Sequence, residues 1–465
     1  MADQNYDVVV LGAGSGGYAC ALRAAELGLS VALVERDKVG GTCLHRGCIP
    51  TKAWLHAAEV ADVARDAEQF GVRASLDGVD AARVGEYADQ VVARLYKGLT
   101  GLVGSRGIET VAGSGVVERE GDRVVVQVGD RTLRGAATVL ATGSAPRTLP
   151  GIEPDGELIM NSDQLLRATE LPQSLIVLGG GVIGVEFASA YASLGTKVTI
   201  VEALDRLLPT EEPESSKALE RAFRKRKIEI VTGRPVAGVR TADDRVHVEV
   251  EGGRELVADR LLVAVGRGPV SEGLGYEAAG VETTRGFVIT DERLRTSVPD
   301  VYAVGDLVPG LQLAHRGFAH GIFVAEEIAH ARGLLDEAPT PVADSTIPRV
   351  TYSHPEVASV GLSEVAAREG GEVETFSYEL GGNGKSQILK TAGFVKLVRR
   401  KDGPVLGVHL VGDRVGELIG EAQLITAWEA FPEDVAALIH AHPTQNEALG
   451  EAHLALAGKP LHVHG

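Results

Sequence analysis

Two stretches near the N-terminus are apolar without a break, Val8 to Leu11 and Val31 to Val34. Short unbroken apolar runs bounded by turn residues read as strands buried on both faces. Between them lie a glycine turn and a helix ending at Gly28. The same order recurs later: strand Leu175 to Leu178, glycine turn, helix to Gly195, strand Val198 to Val201. Each copy closes on an acid, Glu35 or Glu202, 23 positions after the first glycine of its turn. Two copies of one nucleotide-binding unit imply two bound dinucleotides.

The second copy reads as an insertion. Val301-Tyr302-Ala303-Val304-Gly305-Asp306 is a short apolar strand ending in Gly-Asp, with which the first domain is expected to resume. The expected boundaries are 1–148 with 272–344 for the first domain, 149–271 for the second and 345–465 for a third. From Thr346 the pattern changes. Alternation in Phe394 to Val398 and Val405 to Leu410 predicts antiparallel strands, followed by helices around 414–429 and 432–440.

Composition narrows the function. A chain of 465 residues exceeds one hydrophobic core, and 58 glycines suit an α/β enzyme with many tight turns. Aromatics at 4% and a net charge of −18 argue against nucleic acid and favour a basic protein partner. No apolar run is long enough to span a membrane, and no secretory segment opens the chain, so a cytoplasmic protein is expected.

The turns are Gly12-x-Gly14-x-x-Gly17 and Gly179-x-Gly181-x-x-Gly184. Glycines there allow a tight turn, close approach of a pyrophosphate and close helix–strand packing, while the helix N–H groups meet the phosphate. Glu35 and Glu202 would take a ribose hydroxyl pair, or each could merely end a strand at the surface. A carboxylate at 202 repels a 2′-phosphate and points to NAD over NADP, although Arg206 lies close by in sequence.

Of three cysteines, Cys43 and Cys48 stand just after the first unit with four residues between them. Cysteines in a reducing compartment are more often catalytic or metal-binding than structural. A reversible disulphide needs an accessible thiolate and a good leaving sulfur. A zinc site needs about four ligands, and beyond these two cysteines only His45 stands near. Cys20, in Tyr18-Ala19-Cys20-Ala21-Leu22, reads as a small buried hydrophobe. Lys52, one turn after Cys48, is either a solvated helix residue or a charge near the first nucleotide site. Near the other end, His442-Pro443-Thr444 is followed by Glu447. A carboxylate that orients an imidazole makes a base for a thiol; the plainer reading is a structural histidine, one of 13.

Taken together, Gly40-Gly41-Thr42-Cys43-x4-Cys48-Ile49-Pro50-Thr51-Lys52, His442-Pro443-Thr444 with Glu447, Ala141-Thr142-Gly143-Ser144 and Val304-Gly305-Asp306 resemble the pyridine nucleotide–disulphide oxidoreductases over the whole chain. The resemblance implies an α/β fold with two Rossmann-like dinucleotide-binding domains, for FAD and NAD, and a C-terminal α+β dimerisation domain. It implies that Cys43 and Cys48 form the redox disulphide and that His442 with Glu447 is the acid–base pair. Gly115, Thr142, Gly143, Asp306 and Ala314 would lie at FAD with Gly12, Gly14, Gly17, Glu35 and Lys52. Glu186 and Gly266 would join Gly179, Gly181, Gly184 and Glu202 at NAD, with Glu186 paired to Lys52. No metal is implied.

Within the family, Ile439-His440-Ala441-His442-Pro443-Thr444 and Gly179-Gly180-Gly181-Val182-Ile183-Gly184-Val185-Glu186 look most like the lipoyl-oxidising branch. This implies a homodimeric enzyme that oxidises dihydrolipoyl groups with NAD. The lipoyl groups would sit on acyltransferase subunits of 2-oxo acid dehydrogenase complexes, or on a glycine cleavage complex. NADH-driven reduction of a small disulphide stays as the alternative, because His45 and Gln445-Asn446 depart from the common pattern.

Overall fold

The computed structural model describes residues 4–463. It divides into two compact units, one of residues up to Ala53 with Arg83–Arg147 and Arg267–Asp344. The other contains Trp54–Ala82, Thr148–Gly266 and the chain from Ser345 onward.

Among the described residues the first unit is built on a seven-stranded sheet. Its parallel part runs Glu109–Ala112, Val31–Glu35, Gln4–Leu11, Arg131–Leu140, with Val301–Ala303 also paired to Arg131–Leu140. The chain thus returns to its first sheet after the second glycine repeat. An antiparallel hairpin, Gly115–Glu120 with Arg123–Val128, extends the sheet. Val8 and Val10 face one core with Cys20, Ala21 and Val324, while Val9 and Leu11 face another with Val126 and Leu133. Burial on both faces explains why the strand shows no alternation.

Two helices of this unit touch backbone to backbone. A Cβ on Gly321, in Ala314–Ala331, would lie 2.2 Å from the Gly16 oxygen in Ser15–Glu26. Gly317 approaches the Gly16 nitrogen in the same way, at 3.2 Å. The contact lies near the N-terminal ends of both helices, and so brings those ends side by side.

The second unit holds a five-stranded parallel sheet in the order Glu229–Val231, Lys197–Val201, Ser174–Leu178, Arg260–Val263, Ile159–Met160. It also holds an antiparallel sheet in the order Arg349–Thr351, Glu356–Gly361, Val405–Gly412, Phe394–Arg400, Val373–Glu379. Helices Val415–Ala427 and Glu447–Leu456 share a core with this sheet through Ile419, Ala422, Leu449, Val395, Leu397 and Leu410. The helix expected over 432–440 spans only Pro432–Ala436. The apolar run beyond it leaves the helix, Ile439 stands 99% exposed, and His440 turns back to Glu421. Helices Ala81–Ser105 and Glu447–Leu456 and the antiparallel strands Val236–Ala242, Arg245–Val250 and Arg254–Ala258 were not anticipated from pattern.

Candidate active site

The two glycine turns have one geometry. Gly12 has φ +102°, and a Cβ there would lie 2.4 Å from the Ala141 oxygen; at Gly17 it would lie 1.8 Å from the Gly12 oxygen. Gly179 has φ +115° and the corresponding distances are 2.3 Å to Ala264 and, from Gly184, 1.9 Å to Gly179. Gly14 and Gly181 are the N-caps of Ser15–Glu26 and Val182–Ser193, without side-chain caps. A Cβ on either would meet nothing within 4 Å.

The acids are wired alike. One Glu35 oxygen accepts from Ala13 N at 2.8 Å and the other from Asp37 N at 2.9 Å. Glu202 accepts from Gly180 N at 2.6 Å and from Leu204 N at 2.8 Å. A carboxylate has about four acceptor positions, so capacity remains for a ribose hydroxyl pair. A glycine-rich turn, helix N–H donors beyond it and a carboxylate beside it fit the pyrophosphate and ribose of a dinucleotide.

The cysteine segment is fastened to the first turn. Gly40 N donates to Ala13 O at 2.8 Å, and a Cβ on Gly41 would lie 2.6 Å from the Gly14 Cα. Cys43, in the helix Gly41–Arg46, is disulphide-bonded to Cys48, the first residue of Cys48–Asp66, with Cα atoms 4.7 Å apart. Both are half-buried. A thiolate on Cys48 would sit at a helix N-terminus, which favours the anion. Lys52 follows one turn later on the same helix. His45 holds Val39 O through Nε2 at 2.9 Å and meets Tyr96 edge-on at 5.1 Å between ring centres, so it serves this loop. Cys20 is buried, and burial pushes its thiol up to about 12.

Asp306 accepts from Ser144 Oγ at 2.6 Å, and Ser144 Oγ accepts in turn from Arg267 Nε at 2.8 Å. Thr142 donates to Val270 O at 2.6 Å and lies 2.9 Å from Tyr276 Oη; Gly143 has φ +70°. Ala314 is the first residue of Ala314–Ala331. Gly115 is required by packing, since a Cβ there would lie 2.6 Å from Leu11 and 2.9 Å from Val126. In the second unit Gly266 has φ +106°, and buried Glu186 accepts from Tyr352 N at 3.0 Å.

His442 Nδ1 lies 2.8 Å from Glu447 Oε1, while Glu447 Oε2 accepts from Thr444 N at 2.7 Å. Burial raises the Glu447 carboxyl, but the Thr444 N–H and His442 outweigh it and hold it below its ordinary range. The His442 side chain is 78% exposed, so its ring is accessible. Asn383 Nδ2 steadies the turn by donating to Thr444 O at 2.9 Å.

Sequence reasoning missed several supporting residues. Buried Arg316 donates to Pro309 O, Leu311 O and Asp344, fixing the loop between Asp306 and Ala314. Buried His320 receives Gly305 N at 3.3 Å; burial first, then Arg316, pushes it down to about 4. Among the described residues Glu212, Glu214 and Glu364 lie close enough together for a metal ion. Lys396 Nζ fills that place instead, at 2.8, 2.9 and 2.8 Å.

A reducible disulphide fastened to the turn of a dinucleotide site is built to pass two electrons between thiols and a nucleotide, which makes this a disulphide oxidoreductase fold. Residues 6–321 match the model described as pyridine nucleotide-disulphide oxidoreductase, and residues 347–453 match its dimerisation domain. The chain belongs to that family and is an enzyme that uses FAD and NAD. It is 40% identical to a dihydrolipoyl dehydrogenase of Bacillus subtilis, covering 98% of this chain and 99% of that one. The dihydrolipoyl dehydrogenase of Chlorobaculum tepidum is 42% identical over 96% of each chain. Among solved structures, LpdA of Mycobacterium tuberculosis superposes with a TM-score of 0.89 at 28% identity, covering 97% of this chain and 99% of that one. The flavoprotein disulfide reductase RclA of Escherichia coli gives 0.85 at 27%, covering 97% and 100%.

Proposed function

We propose that the enzyme oxidises protein-bound dihydrolipoyl groups to lipoyl and reduces NAD, that is, acts as a dihydrolipoyl dehydrogenase. The observation that carries the chemistry is the Cys43–Cys48 disulphide, in a segment that Gly40 N fastens to Ala13 O of the first glycine turn. The substrate reading is supported by the named relatives and by Glu202, which disfavours a 2′-phosphate.

In this reading a substrate thiolate attacks Cys43, the Cys43–Cys48 bond breaks, and Cys48 leaves as a thiolate favoured by its helix N-terminus. His442, oriented by Glu447, takes the proton of the attacking thiol, releases it to solvent from its exposed ring, and then takes that of the second thiol. The second sulfur displaces Cys43 and closes the lipoyl disulphide. FAD held at the first unit would supply the redox link between the Cys43–Cys48 pair and NAD. Gly12, Gly14, Gly17, Glu35, Lys52, Gly115, Thr142, Gly143, Asp306 and Ala314 would hold FAD. Gly179, Gly181, Gly184, Glu186, Glu202 and Gly266 would hold NAD.

We assign 1–148 with 272–344 to FAD, 149–271 to NAD and 345–465 to dimerisation. The active enzyme is a homodimer in which His442 of one subunit serves the cysteines of the other. A dimer would cover the exposed apolar residues Ile439, Leu438 and Trp428, the last 75% exposed. The lipoyl group comes from an acyltransferase subunit of a 2-oxo acid dehydrogenase or from a glycine cleavage complex, in the cytoplasm. Among the described residues no helix is long and apolar enough to cross a membrane.

The test is purified, flavin-loaded enzyme with dihydrolipoamide and NAD, followed by NADH absorbance beside NADP and small-disulphide controls. Turnover restricted to dihydrolipoamide and NAD is expected. Activity confined to another disulphide would overturn the substrate and leave the cysteine chemistry.

A further inference from the structure

Two imidazole–carboxylate pairs stand two residues apart. His442 meets Glu447, and His440 Nε2 meets Glu421 Oε1 at 2.8 Å. The first ring is exposed; the second is only 11% exposed and points into the domain. The other Glu421 oxygen accepts from Asn446 Nδ2. Asn446 is the N-cap of Glu447–Leu456, yet its side chain makes no cap bond. An asparagine at that place ordinarily bonds the helix N–H groups; here its amide goes to Glu421 instead. The His440 ring also lies against the helix that carries Glu447, because a Cβ on Gly450 would come within 2.5 Å of His440 Nδ1.

We propose that Glu421, His440 and Asn446 form a positioning network that fixes the turn presenting His442 and Glu447, one carboxylate tying both ends of that turn. The proposal rests on the reading of His442 as the thiol base. Residue 440 precedes the turn and residue 446 closes it, so Glu421 sets their separation from outside the turn. Thr444 N on Glu447 and Asn383 on Thr444 O fix the middle. Electrostatics agree with a charged pair: Glu421 holds His440 above its ordinary range. His440, against opposing burial and with help from Asn446, holds Glu421 below its own. The charged and titratable groups around the turn are Glu421 from Val415–Ala427, Glu447 and His453 from Glu447–Leu456, Tyr378 from Val373–Glu379, and His440 itself.

The test compares Glu421→Gln and His440→Gln in the intact flavin-loaded dimer. Glutamine at 421 can accept from only one of the two donors and turns its own amide on the other. Dihydrolipoamide turnover is expected to fall about tenfold or more. The loss falls on kcat, with KM for dihydrolipoamide within about threefold of the parent, because the base is misplaced while the rest of the substrate site is kept. His440→Gln keeps a donor to Glu421 and is expected to retain turnover within about threefold. NADH oxidation by ferricyanide, which bypasses the thiol base, stays unchanged in both. A wild-type kcat with dihydrolipoamide in Glu421→Gln would overturn the proposal. An equal loss of ferricyanide activity would do the same, since it would show a general packing defect. If the unsubstituted enzyme does not oxidise dihydrolipoamide, the substrate reading falls by itself. The network is then judged by the NMR signals of the His442 ring, where a changed tautomer or line shape in Glu421→Gln supports it and unchanged signals overturn it.

Discussion

His442 and Glu447 are joined by a 2.8 Å contact between imidazole Nδ1 and a carboxylate oxygen whose partner oxygen is held by Thr444 N. The carboxylate is thus fixed before any substrate arrives, and it selects the tautomer with Nε2 as the proton acceptor. His442→Gln is expected to lower dihydrolipoamide-dependent NAD reduction by about 100-fold or more. Glu447→Gln keeps a hydrogen bond without the charge and should cost less, about tenfold. Steady-state rates beside NADH–ferricyanide controls check both; equal effects on the two reactions would argue against a thiol base.

Cys43 and Cys48 differ in what surrounds their sulfurs, because only Cys48 begins a long helix. Either Cys→Ser change should abolish lipoamide turnover and leave the flavin bound. The check is the flavin-to-protein absorbance ratio beside the rate. A Cys48→Ser enzyme at full rate would remove the disulphide from the mechanism.

Glu202, which we propose binds the NAD ribose, also holds Gly180 N and Leu204 N. Glu202→Ala should raise KM for NAD about tenfold and narrow the preference over NADP. It should also lower stability by about 1–2 kcal/mol, since two N–H groups lose their partner. Kinetics with both nucleotides and a denaturant melt separate the two effects.

Gly321 is a packing position with a cofactor consequence. Its Cβ would fall 2.2 Å from the Gly16 oxygen, so Gly321→Val must push the two helices apart. A loss of about 2 kcal/mol or more is expected, with release of FAD on gel filtration. Retained FAD and an unchanged melt would mean that the contact is slack.

Glu356 supplies a pH dependence. Burial, against the Gly416 N–H, pushes its carboxyl up to about 7, with Asp413, Glu417 and Glu59 adding to the rise. The folded state therefore binds a proton more tightly than the unfolded state. That contribution is full below about 4.5, the ordinary value, and is lost as pH rises through about 7. Glu356→Gln keeps an acceptor for Gly416 N and should gain stability relative to the parent as pH rises across that window. The gain above pH ~7 is on the order of 1 kcal/mol. Denaturation series at pH ~5 and ~8 check it; a constant difference would contradict it.

The parts legible in the sequence were those written by local rules. Val8 to Leu11 lacks alternation because both faces are buried, and Gly12, Gly17, Gly179 and Gly184 stand where a Cβ would strike backbone. Cys43 with Cys48, and His442 with Glu447, lie close enough in sequence for spacing to carry the signal. Glu421 was not legible. It is one of 64 acids, and its partners lie 19 and 25 residues away across a helix and a turn. Arg316 and Lys396 are alike in this: cations whose meaning comes only from carbonyls and carboxylates that folding assembles. The end of Pro432–Ala436 was hidden for a different reason, because the apolar run past it faces no core of its own chain.

The double role of Glu202 constrains how this lineage can change its nucleotide. A single substitution toward a 2′-phosphate would also strip Gly180 and Leu204 of their acceptor, so the intermediate genotype is handicapped before any new preference appears. Drift toward NADP therefore requires a permissive change first, one that holds the turn by other means. Glu35 carries the same structural duty at the first turn, since its loss would strip Ala13 and Asp37 of their acceptor.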